Sequence, residues 1–196
     1  MLQRYFVPVL GILVVSTTIF ATGVNRVVTM KNTKLAITFE QGDTSDEWQA
    51  LNDGVMGGLS VGNAKHKDQA LVFSGRLSTE NYGGFSSVYK KLSLLPETVN
   101  SISIRIKGDG NPYQLRMRSK VMDYNVAYKV EFKTEVDKVE VHHFNLTDFK
   151  ASFRGRIIDN APVLTVSGIS HVGFLIATKQ PRDFSLLIYA LEFYRS

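Results

Sequence analysis

The chain has 196 residues, of which 44% are hydrophobic and 21% charged, a composition typical of an ordinary globular protein. It contains no cysteine, which excludes a disulfide scaffold, a thiolate metal site and a cysteine nucleophile. The formal net charge is +5, but the basic residues are scattered and form no stripe, so we predict no nucleic-acid partner.

The N-terminal segment has the layout of an export signal. Arg4 precedes an uncharged apolar run over residues 5–24, and small residues follow near its end. The run is also long enough to span a bilayer if it stays uncut. We therefore expect residues 1–23 to be a signal peptide or an N-terminal membrane anchor, followed by a polar lead-in over residues 24–34. The protein would be exported to the periplasm or another extracytoplasmic space, or anchored to the membrane by residues 5–24.

From residue 35 onward, apolar and polar residues alternate with a period of two. This pattern is typical of antiparallel strands that bury one face. It predicts eight to ten strands, among them Leu35–Glu40, Gln69–Leu77, Phe85–Lys90, Ile102–Lys107, Tyr113–Arg118, Val126–Phe132, Val139–Asn145, His171–Thr178 and Phe184–Tyr194. Their even spacing predicts an all-β fold, an antiparallel β-sandwich or jelly roll, with one domain over residues 35–196.

The segments between these strands are rich in turn-forming residues. The phrases "KGDGNPY" at 107–113 and "KTEVDK" at 133–138 predict hairpin turns. A polar turn is expected after Val61, and short helical turns are expected near Asp46–Leu51 and Leu146–Phe149.

The glycine-rich phrase "NDGVMGGLS" at 52–60 runs into a Gly-x-Ser-x-Gly pattern over residues 58–62. A nucleophile elbow requires a helix directly after the serine, whereas polar residues and a strand follow here. A phosphate-binding P-loop requires a terminal Gly-Lys-Ser/Thr, which the chain lacks. We therefore predict neither a nucleophilic role for Ser60 nor any other catalytic residue.

Metal binding has little support in the sequence. His142 and His143 are neighbours on a predicted strand, so their side chains point to opposite faces and do not converge on one ion. Asp43, Asp46 and Asp53 lie close in sequence and leave a calcium site open, with polar loop acids as the alternative. We assign no metal and no cofactor.

Several longer phrases occur together in a characteristic order. They are "FEQGDTSDEWQALNDGVMGGLS" at 39–60, "FSGRLSTENYGGFSSV" at 73–88, "IRIKGDGNPYQLRMRS" at 104–119 and "FNLTDFKASFRGRII" at 144–158. With them the chain resembles the CIA30 family, named for complex I intermediate-associated protein 30. The resemblance implies a galactose-binding-domain-like β-sandwich. It also implies a role without catalysis, since mitochondrial members of the family are assembly factors for respiratory complex I.

The function expected from this resemblance is a non-catalytic binding module. It would bind a protein partner or assist assembly of a membrane-associated complex. The alternative is an extracytoplasmic carbohydrate-binding module, because export and this fold are both compatible with sugar binding. Membrane contact is expected only through the N-terminal segment, if it is not cleaved.

The candidate binding residues come from three glycine-containing phrases, "NDGVMGGLS", "YGGF" and "FRGR", which we expect to build one shared surface. Glycine permits left-handed backbone and close approach, and Asp53 can accept hydrogen bonds from backbone N–H groups. Arg154 or Arg156 is expected to pair with Asp53, and Trp48 is either a core anchor or a stacking platform. The predicted binding residues are Trp48, Asn52, Asp53, Met56, Gly57, Gly58, Ser60, Tyr82, Gly84, Phe85, Arg154, Gly155 and Arg156.

Overall fold

Two antiparallel β-sheets face each other in the computed structural model, which describes residues 34–39, 45–123 and 126–196. The expected signal segment, residues 1–23, and all of the lead-in except Lys34 lie outside the described residues. Within the described part of the chain, no helix is long and apolar enough to cross a membrane.

The described residues form thirteen strands, more than the eight to ten predicted, and their connections include two long ones at residues 92–100 and 158–168. The strands are β1 (Leu35–Thr38), β2 (Trp48–Asn52), β3 (Val61–Lys67), β4 (Ala70–Leu77), β5 (Phe85–Lys91), β6 (Ser101–Lys107), β7 (Pro112–Ser119), β8 (Ala127–Lys133), β9 (Val139–Asn145), β10 (Lys150–Phe153), β11 (Arg156–Ile157), β12 (Ile169–Ala177) and β13 (Arg182–Tyr194). Single 3₁₀ turns occur at Ser45–Glu47, Asp53–Met56, Glu80–Tyr82, Leu146–Asp148 and Val166–Gly168.

The strands divide into a six-stranded and a seven-stranded sheet. The six-stranded sheet has the order β3-β4-β13-β6-β9, and β1 also pairs with β13. The seven-stranded sheet has the order β11-β10-β8-β7-β12-β5-β2. Every pairing between these strands is antiparallel, so the predicted all-β sandwich is confirmed.

The core lies between the two sheets, and the alternation in the sequence identifies the residues that fill it. The apolar members of the pattern in β6 and β7 are buried: Ile102, Ile104, Ile106, Tyr113, Leu115 and Met117. The intervening Arg105 points away from the core and is exposed. Burying one face of each strand in this way removes apolar surface from water, which is the main stabilising term of the fold.

Two connections that we predicted to be hairpin turns are sheet-to-sheet crossovers. β6 lies in the six-stranded sheet and β7 in the seven-stranded sheet, so residues 108–111 carry the chain from one sheet to the other. The same holds for residues 134–138 between β8 and β9. The hairpin prediction was wrong because alternation shows which residues of a strand face the core but does not show which of the two sheets the strand joins.

The segment after Val61 is strand rather than the predicted polar turn. β3 pairs with β4 from Val61 to Lys67, and the turn follows at Asp68 and Gln69, whose φ angles are 49° and 61°. The helical turn expected over Asp46–Leu51 is confined to Ser45–Glu47 and gives way to β2. The turn expected near Leu146 is confirmed.

Candidate functional site

Asp53 joins two loops through its carboxylate. It directly follows β2, and the residue is fully buried. Its Oδ1 accepts a hydrogen bond from the backbone N–H of Ser60 at 2.9 Å. Its Oδ2 accepts hydrogen bonds from the backbone N–H groups of Gly84 at 2.6 Å and Phe85 at 3.2 Å. The donors on Gly84 and Phe85 come from a different connection, so this one side chain fixes the 53–60 loop against the start of β5.

The hydrogen bonds to Asp53 keep its carboxyl group ionised. Burial by itself would raise the pKa of Asp53, because a low-dielectric environment disfavours charge. Hydrogen bonding from the Ser60 side chain and from the backbone of Gly84, Ser60 and Phe85 outweighs burial, and the pKa of Asp53 lies below its usual value. The site therefore holds a buried negative charge that backbone dipoles stabilise.

Two glycines make room for the Asp53 carboxylate. A Cβ atom on Gly58 would lie 2.4 Å from Asp53 Cγ, and one on Gly83 would lie 2.7 Å from Asp53 Oδ2. Gly57 has a different role, since its φ of 88° is left-handed and a Cβ there would meet nothing within 4 Å. The sequence suggested two reasons for glycine here, and each applies to a different residue. Gly58 allows close approach to Asp53, and Gly57 allows left-handed backbone.

The polar groups of Asn52 and Ser60 are bonded within the protein. The Asn52 amide nitrogen donates to the Gly62 carbonyl at 3.1 Å, and its oxygen accepts from the Ser86 hydroxyl at 2.6 Å. The Ser60 hydroxyl accepts from the Ser78 N–H at 3.0 Å and lies 3.2 Å from the Ser78 carbonyl. Ser60 is buried and is followed by β3, whereas a nucleophile elbow would be exposed and followed by a helix.

Asn81 links the loop between β4 and β5 to the 53–60 loop. It is not among the binding residues predicted from the sequence. Its amide nitrogen donates to the Gly57 carbonyl at 3.0 Å. Asn81 and the next residue, Tyr82, both have left-handed backbone, with φ angles of 54° and 61°. Asparagine tolerates this conformation better than most residues. Its presence in "ENYGG" was therefore the feature of the sequence that could have predicted a turn with left-handed backbone here.

The two loops together present apolar side chains to solvent. Five large apolar residues on these loops and at the first residue of β3 are exposed by more than half: Val55, Met56, Leu59, Val61 and Tyr82. We call this set the loop surface. An exposed apolar cluster of this kind is typical of an interaction site, and the hydrogen bonds of Asp53 and Asn81 hold the loops that carry it.

Trp48 is a core anchor. The residue is only 5% exposed, and its ring lies 6.2 Å from the ring of Phe39 and 6.3 Å from that of Phe174. A stacking role for Trp48 at the surface is therefore wrong, since its faces are occupied by other core rings. Phe85 is half-buried at the start of β5.

Arg154, Gly155 and Arg156 do not join the loop surface. β10 lies next to the edge strand β11, and β2 is the opposite edge strand of the seven-stranded sheet, so β10 and β2 are five strand spacings or roughly 24 Å apart. The pairing registers also place Asn52 and residues 153–156 at opposite ends of the sheet. Asn52 pairs with Ser86 near the start of β5, whereas residues 153–156 extend past the last residue pair between β10 and β8. The expected shared surface of all three phrases is wrong, and the expected ion pair with Asp53 is replaced by backbone N–H donors.

The "FRGR" phrase is a tight hairpin turn rather than an extended edge. Phe153 pairs with Arg156, and the two residues between them have left-handed φ angles of 47° for Arg154 and 79° for Gly155. Two successive positive φ angles define the turn that suits a two-residue hairpin. Arg156 and Phe153 instead line a separate open pocket of about 480 Å³ with Ile158 and others.

The "KGDGNPY" phrase supports the same end of the sandwich as the loop surface. Asp109 accepts hydrogen bonds from the Tyr113 hydroxyl at 3.0 Å and from the Ser185 N–H at 2.7 Å. Asn111 accepts from the Arg182 guanidinium. This crossover is thereby fastened to β13, an arrangement that the sequence did not reveal.

The described residues contain no group of three or more His, Asp or Glu side chains placed to hold a metal ion. His142 lies against the Phe132 ring at 5.2 Å, whereas His143 contacts the Tyr194 hydroxyl at 3.0 Å, so the two histidines do point to opposite faces. Of the acids considered for calcium, Asp43 lies outside the described residues and Asp53 is bonded to backbone N–H groups.

Two facing antiparallel sheets define a β-sandwich of the galactose-binding-domain-like, jelly-roll class. The chain belongs to the CIA30 family, complex I intermediate-associated protein 30, whose model matches residues 37–188. No protein of curated function matches the chain.

Similar solved structures are carbohydrate-binding modules and glycan-degrading enzymes. The family 11 carbohydrate-binding module of a cellulosomal cellulase of Clostridium thermocellum has a TM-score of 0.63 at 11% identity, covering 83% of this chain and 95% of that one. The same family's module in complex with a β-1,3-1,4-mixed-linked tetrasaccharide has a TM-score of 0.61 at 12% identity, covering 83% and 96%. An agarase has a TM-score of 0.56 at 11% identity, covering 82% of this chain and 26% of that one. At such identities the likeness concerns the fold alone.

Proposed function

We propose that this protein is a non-catalytic binding module that recognises a protein partner through the loop surface. In keeping with its family, it would assist assembly of a membrane-associated complex. The observation that carries the proposal is the exposure of Val55, Met56, Leu59, Val61 and Tyr82 on two neighbouring loops and the start of β3. Burying such side chains against a partner is favourable by about 1.5–3 kcal/mol for each one fully buried.

The rigidity of the loops supports the same proposal. Asp53 holds the 53–60 loop through three backbone donors, and Asn81 joins it to the neighbouring loop. A surface already fixed in place loses little conformational entropy when a partner binds. The surface combines aliphatic side chains, a methionine and one aromatic ring rather than a single flat ring, and this form is suited to protein recognition.

Replacing two apolar side chains of the loop surface by serine should abolish partner capture. We expect the double variant Met56→Ser/Leu59→Ser to weaken binding at least about thirtyfold, since buried anchors contribute on the order of 2 kcal/mol or more. Its free energy of unfolding should change little, because both side chains are exposed. The measurement is site-specific photo-crosslinking at position 82 in native membranes, followed by identification of the adduct.

Val163→Ser is the matched control, because Val163 is 71% exposed and lies outside the loop surface. A crosslinker at position 163 should not produce the position-82 adduct, and Val163→Ser should leave that adduct unchanged. If the Met56→Ser/Leu59→Ser variant gave the same adduct in the same yield as the native sequence, the loop surface would not be the binding site.

A second candidate function, carbohydrate binding, has support from a groove on the outer face of the six-stranded sheet. The groove has a volume of about 290 Å³ and is lined by Thr38, Ser103, Arg105, Val141, Tyr189, Ala190 and Glu192. The register of β13 against β6 shifts between Ile188 and Ala190, so a β-bulge sets the position of Tyr189. The Arg105 guanidinium lies 5.1 Å from the centre of the Tyr189 ring. A ring beside one cation and one acid suits a neutral hydroxylated ligand.

Removing the Tyr189 ring should abolish sugar binding if this second function is correct. We expect the mobility of the native protein to fall in gels containing a suitable soluble polysaccharide, with mixed-linked β-glucan among those tried, and Tyr189→Ala to migrate freely. Tyr82→Ala is the control, because it removes an exposed ring from the loop surface and leaves the groove intact. Equal retardation of Tyr189→Ala and the native protein would eliminate this groove as the sugar site.

A further inference from the structure

The outer face of the seven-stranded sheet carries positive charges aligned across its strands. Arg116 of β7 is in register with Lys129 of β8, and Lys129 is in register with Lys150 of β10. The residues on either side of Arg116, Leu115 and Met117, are buried in the core, so Arg116 points to the opposite, outer face. The three cations therefore form one row across three adjacent strands.

Such a row is unfavourable by itself. Residues directly opposite each other in antiparallel strands have Cβ atoms about 5 Å apart, and like charges in these positions repel. Sheets normally place opposite charges or uncharged residues there. Two successive like-charge pairs in one row indicate that a negative group belongs between them.

The acid beside the row is already used. Glu131, on β8 next to this row, accepts hydrogen bonds through the same oxygen from Lys129 at 2.8 Å and from Gln114 at 3.1 Å. The hydrogen bond from Lys129 lowers the pKa of Glu131, against the opposing effect of burial. Glu131 thus compensates Lys129 and leaves Arg116 and Lys150 on either side of that pair.

Arg116 has an unused donor. Its Nε is excluded from solvent and has no hydrogen-bond partner among the described residues. Its Nη2 is 3.5 Å from the Ser152 hydroxyl, at the limit of a hydrogen bond. A buried guanidinium N–H without an acceptor is costly, and a small rotation of the Arg116 side chain toward an oxyanion that accepts from Nε and Nη together would satisfy it.

The strands next to Arg116 form a firm wall for such a ligand. Gly173 of β12 is in register with both Arg116 and Tyr89, and a Cβ at Gly173 would lie 2.5 Å from the Tyr89 ring. The guanidinium of Arg118 stacks on that ring at 3.9 Å. Tyr89 and Arg118 are almost fully buried although they lie on the outer face. Arg116 is thus flanked by packed side chains on one side and by lysines on the other.

We propose that this face binds a tetrahedral oxyanion, a sulfate or phosphate group, with Arg116 as its principal ligand and Lys150 as a second cation. The proposal is independent of the loop surface and of the groove beside Tyr189, because it concerns the other sheet. Sulfate and phosphate accept bidentate hydrogen bonds from arginine and carry the charge that the row lacks.

The test is a titration of the full chain with inorganic sulfate and with inorganic phosphate at constant ionic strength set by chloride. The ¹⁵N-correlated spectrum of the arginine Nε–H groups reports directly on the proposed contact, and the Arg116→Gln variant assigns the Arg116 signal by its loss. We expect that signal to shift saturably with either ion. Lys150→Gln should weaken the affinity about threefold or more, and Arg116→Gln, followed through backbone amide signals of β7 and β8, about tenfold.

Lys65→Gln is the matched control, since it removes one positive charge from the exposed edge of the other sheet. It should change the affinity less than twofold. Monosaccharide sulfate and glycerol 3-phosphate, titrated in parallel, distinguish a sulfated sugar from a phosphorylated headgroup as the source of the group. A linear, non-saturating shift of the Arg116 signal would overturn the proposal. Equal losses of affinity in Lys65→Gln and Lys150→Gln would overturn it as well. Either result would indicate general charge screening and no specific site.

Discussion

Asp53→Ala is expected to lower the free energy of unfolding at pH 7 by about 3–5 kcal/mol. The substitution leaves the buried N–H groups of Ser60 and Gly84, and that of Phe85, without their acceptor. Each bond to an ionised acceptor contributes more than a neutral hydrogen bond does. The loss should be measured by urea denaturation with circular dichroism and tryptophan fluorescence, which reports on the buried Trp48.

Asp159→Ala is the matched control, because Asp159 is an exposed acid on the same chain. It should change the free energy of unfolding by less than about 0.5 kcal/mol. If Asp53→Ala were no more destabilising than Asp159→Ala, the carboxylate would not be what fixes the two loops.

The effect of Asp53 should depend on pH in a defined direction. The pKa of Asp53 is lower in the folded protein than its ordinary value of 3.8, so the ionised form stabilises the folded state. This stabilisation is fully present above the unfolded pKa and is lost as the pH falls through the lower folded pKa. The difference between the native protein and Asp53→Ala should therefore be constant from pH 5 to 7 and shrink below about pH 4. A difference that grew on acidification would contradict the ionised, hydrogen-bonded state of Asp53.

Gly58→Ala should be the second most damaging substitution at the site, costing about 3 kcal/mol of folding free energy. The added Cβ would lie 2.4 Å from both Cγ and Oδ1 of Asp53, so the carboxylate must move away from its backbone donors. The same denaturation experiment measures this loss. Because the damage acts through Asp53, combining Gly58→Ala with Asp53→Ala should cost less than the sum of the two single substitutions.

Neighbouring glycines provide the controls for Gly58. Gly54→Ala should be nearly neutral, since a Cβ there meets nothing within 4 Å and its backbone is not left-handed. Gly57→Ala should cost about 1–2 kcal/mol from its left-handed φ of 88° alone. Equal effects of Gly54→Ala and Gly58→Ala would show that the close approach to Asp53 has no energetic weight.

The class of fold could be predicted from the sequence because it depends on a local pattern. Alternation of apolar and polar residues identifies a strand and its buried face without any knowledge of its neighbours, and β6, β7, β12 and β13 were found in this way. β3 was missed, since "VGNAKHK" is largely polar and becomes a strand by pairing along its whole length with β4 at a sheet edge.

The candidate site was predictable only in part. The sequence indicated that the glycines of residues 52–60 allow close approach and that Asp53 accepts from backbone N–H groups, and both are found. It did not indicate that two of those donors lie 31 and 32 residues further along the chain. It also grouped "FRGR" with this loop on chemical likeness, whereas the strand order separates them.

The sequence by itself determined nine of the thirteen described strands, the faces they bury and the family to which the chain belongs. Tertiary structure alone decided which sheet each strand joins, which loops meet at Asp53 and which cations align at Arg116. The physical reason is that alternation and turn propensity are properties of a few consecutive residues. Strand order and cross-strand register depend on contacts between segments far apart in the chain, and any strand with one apolar face can satisfy its own pattern in several such arrangements.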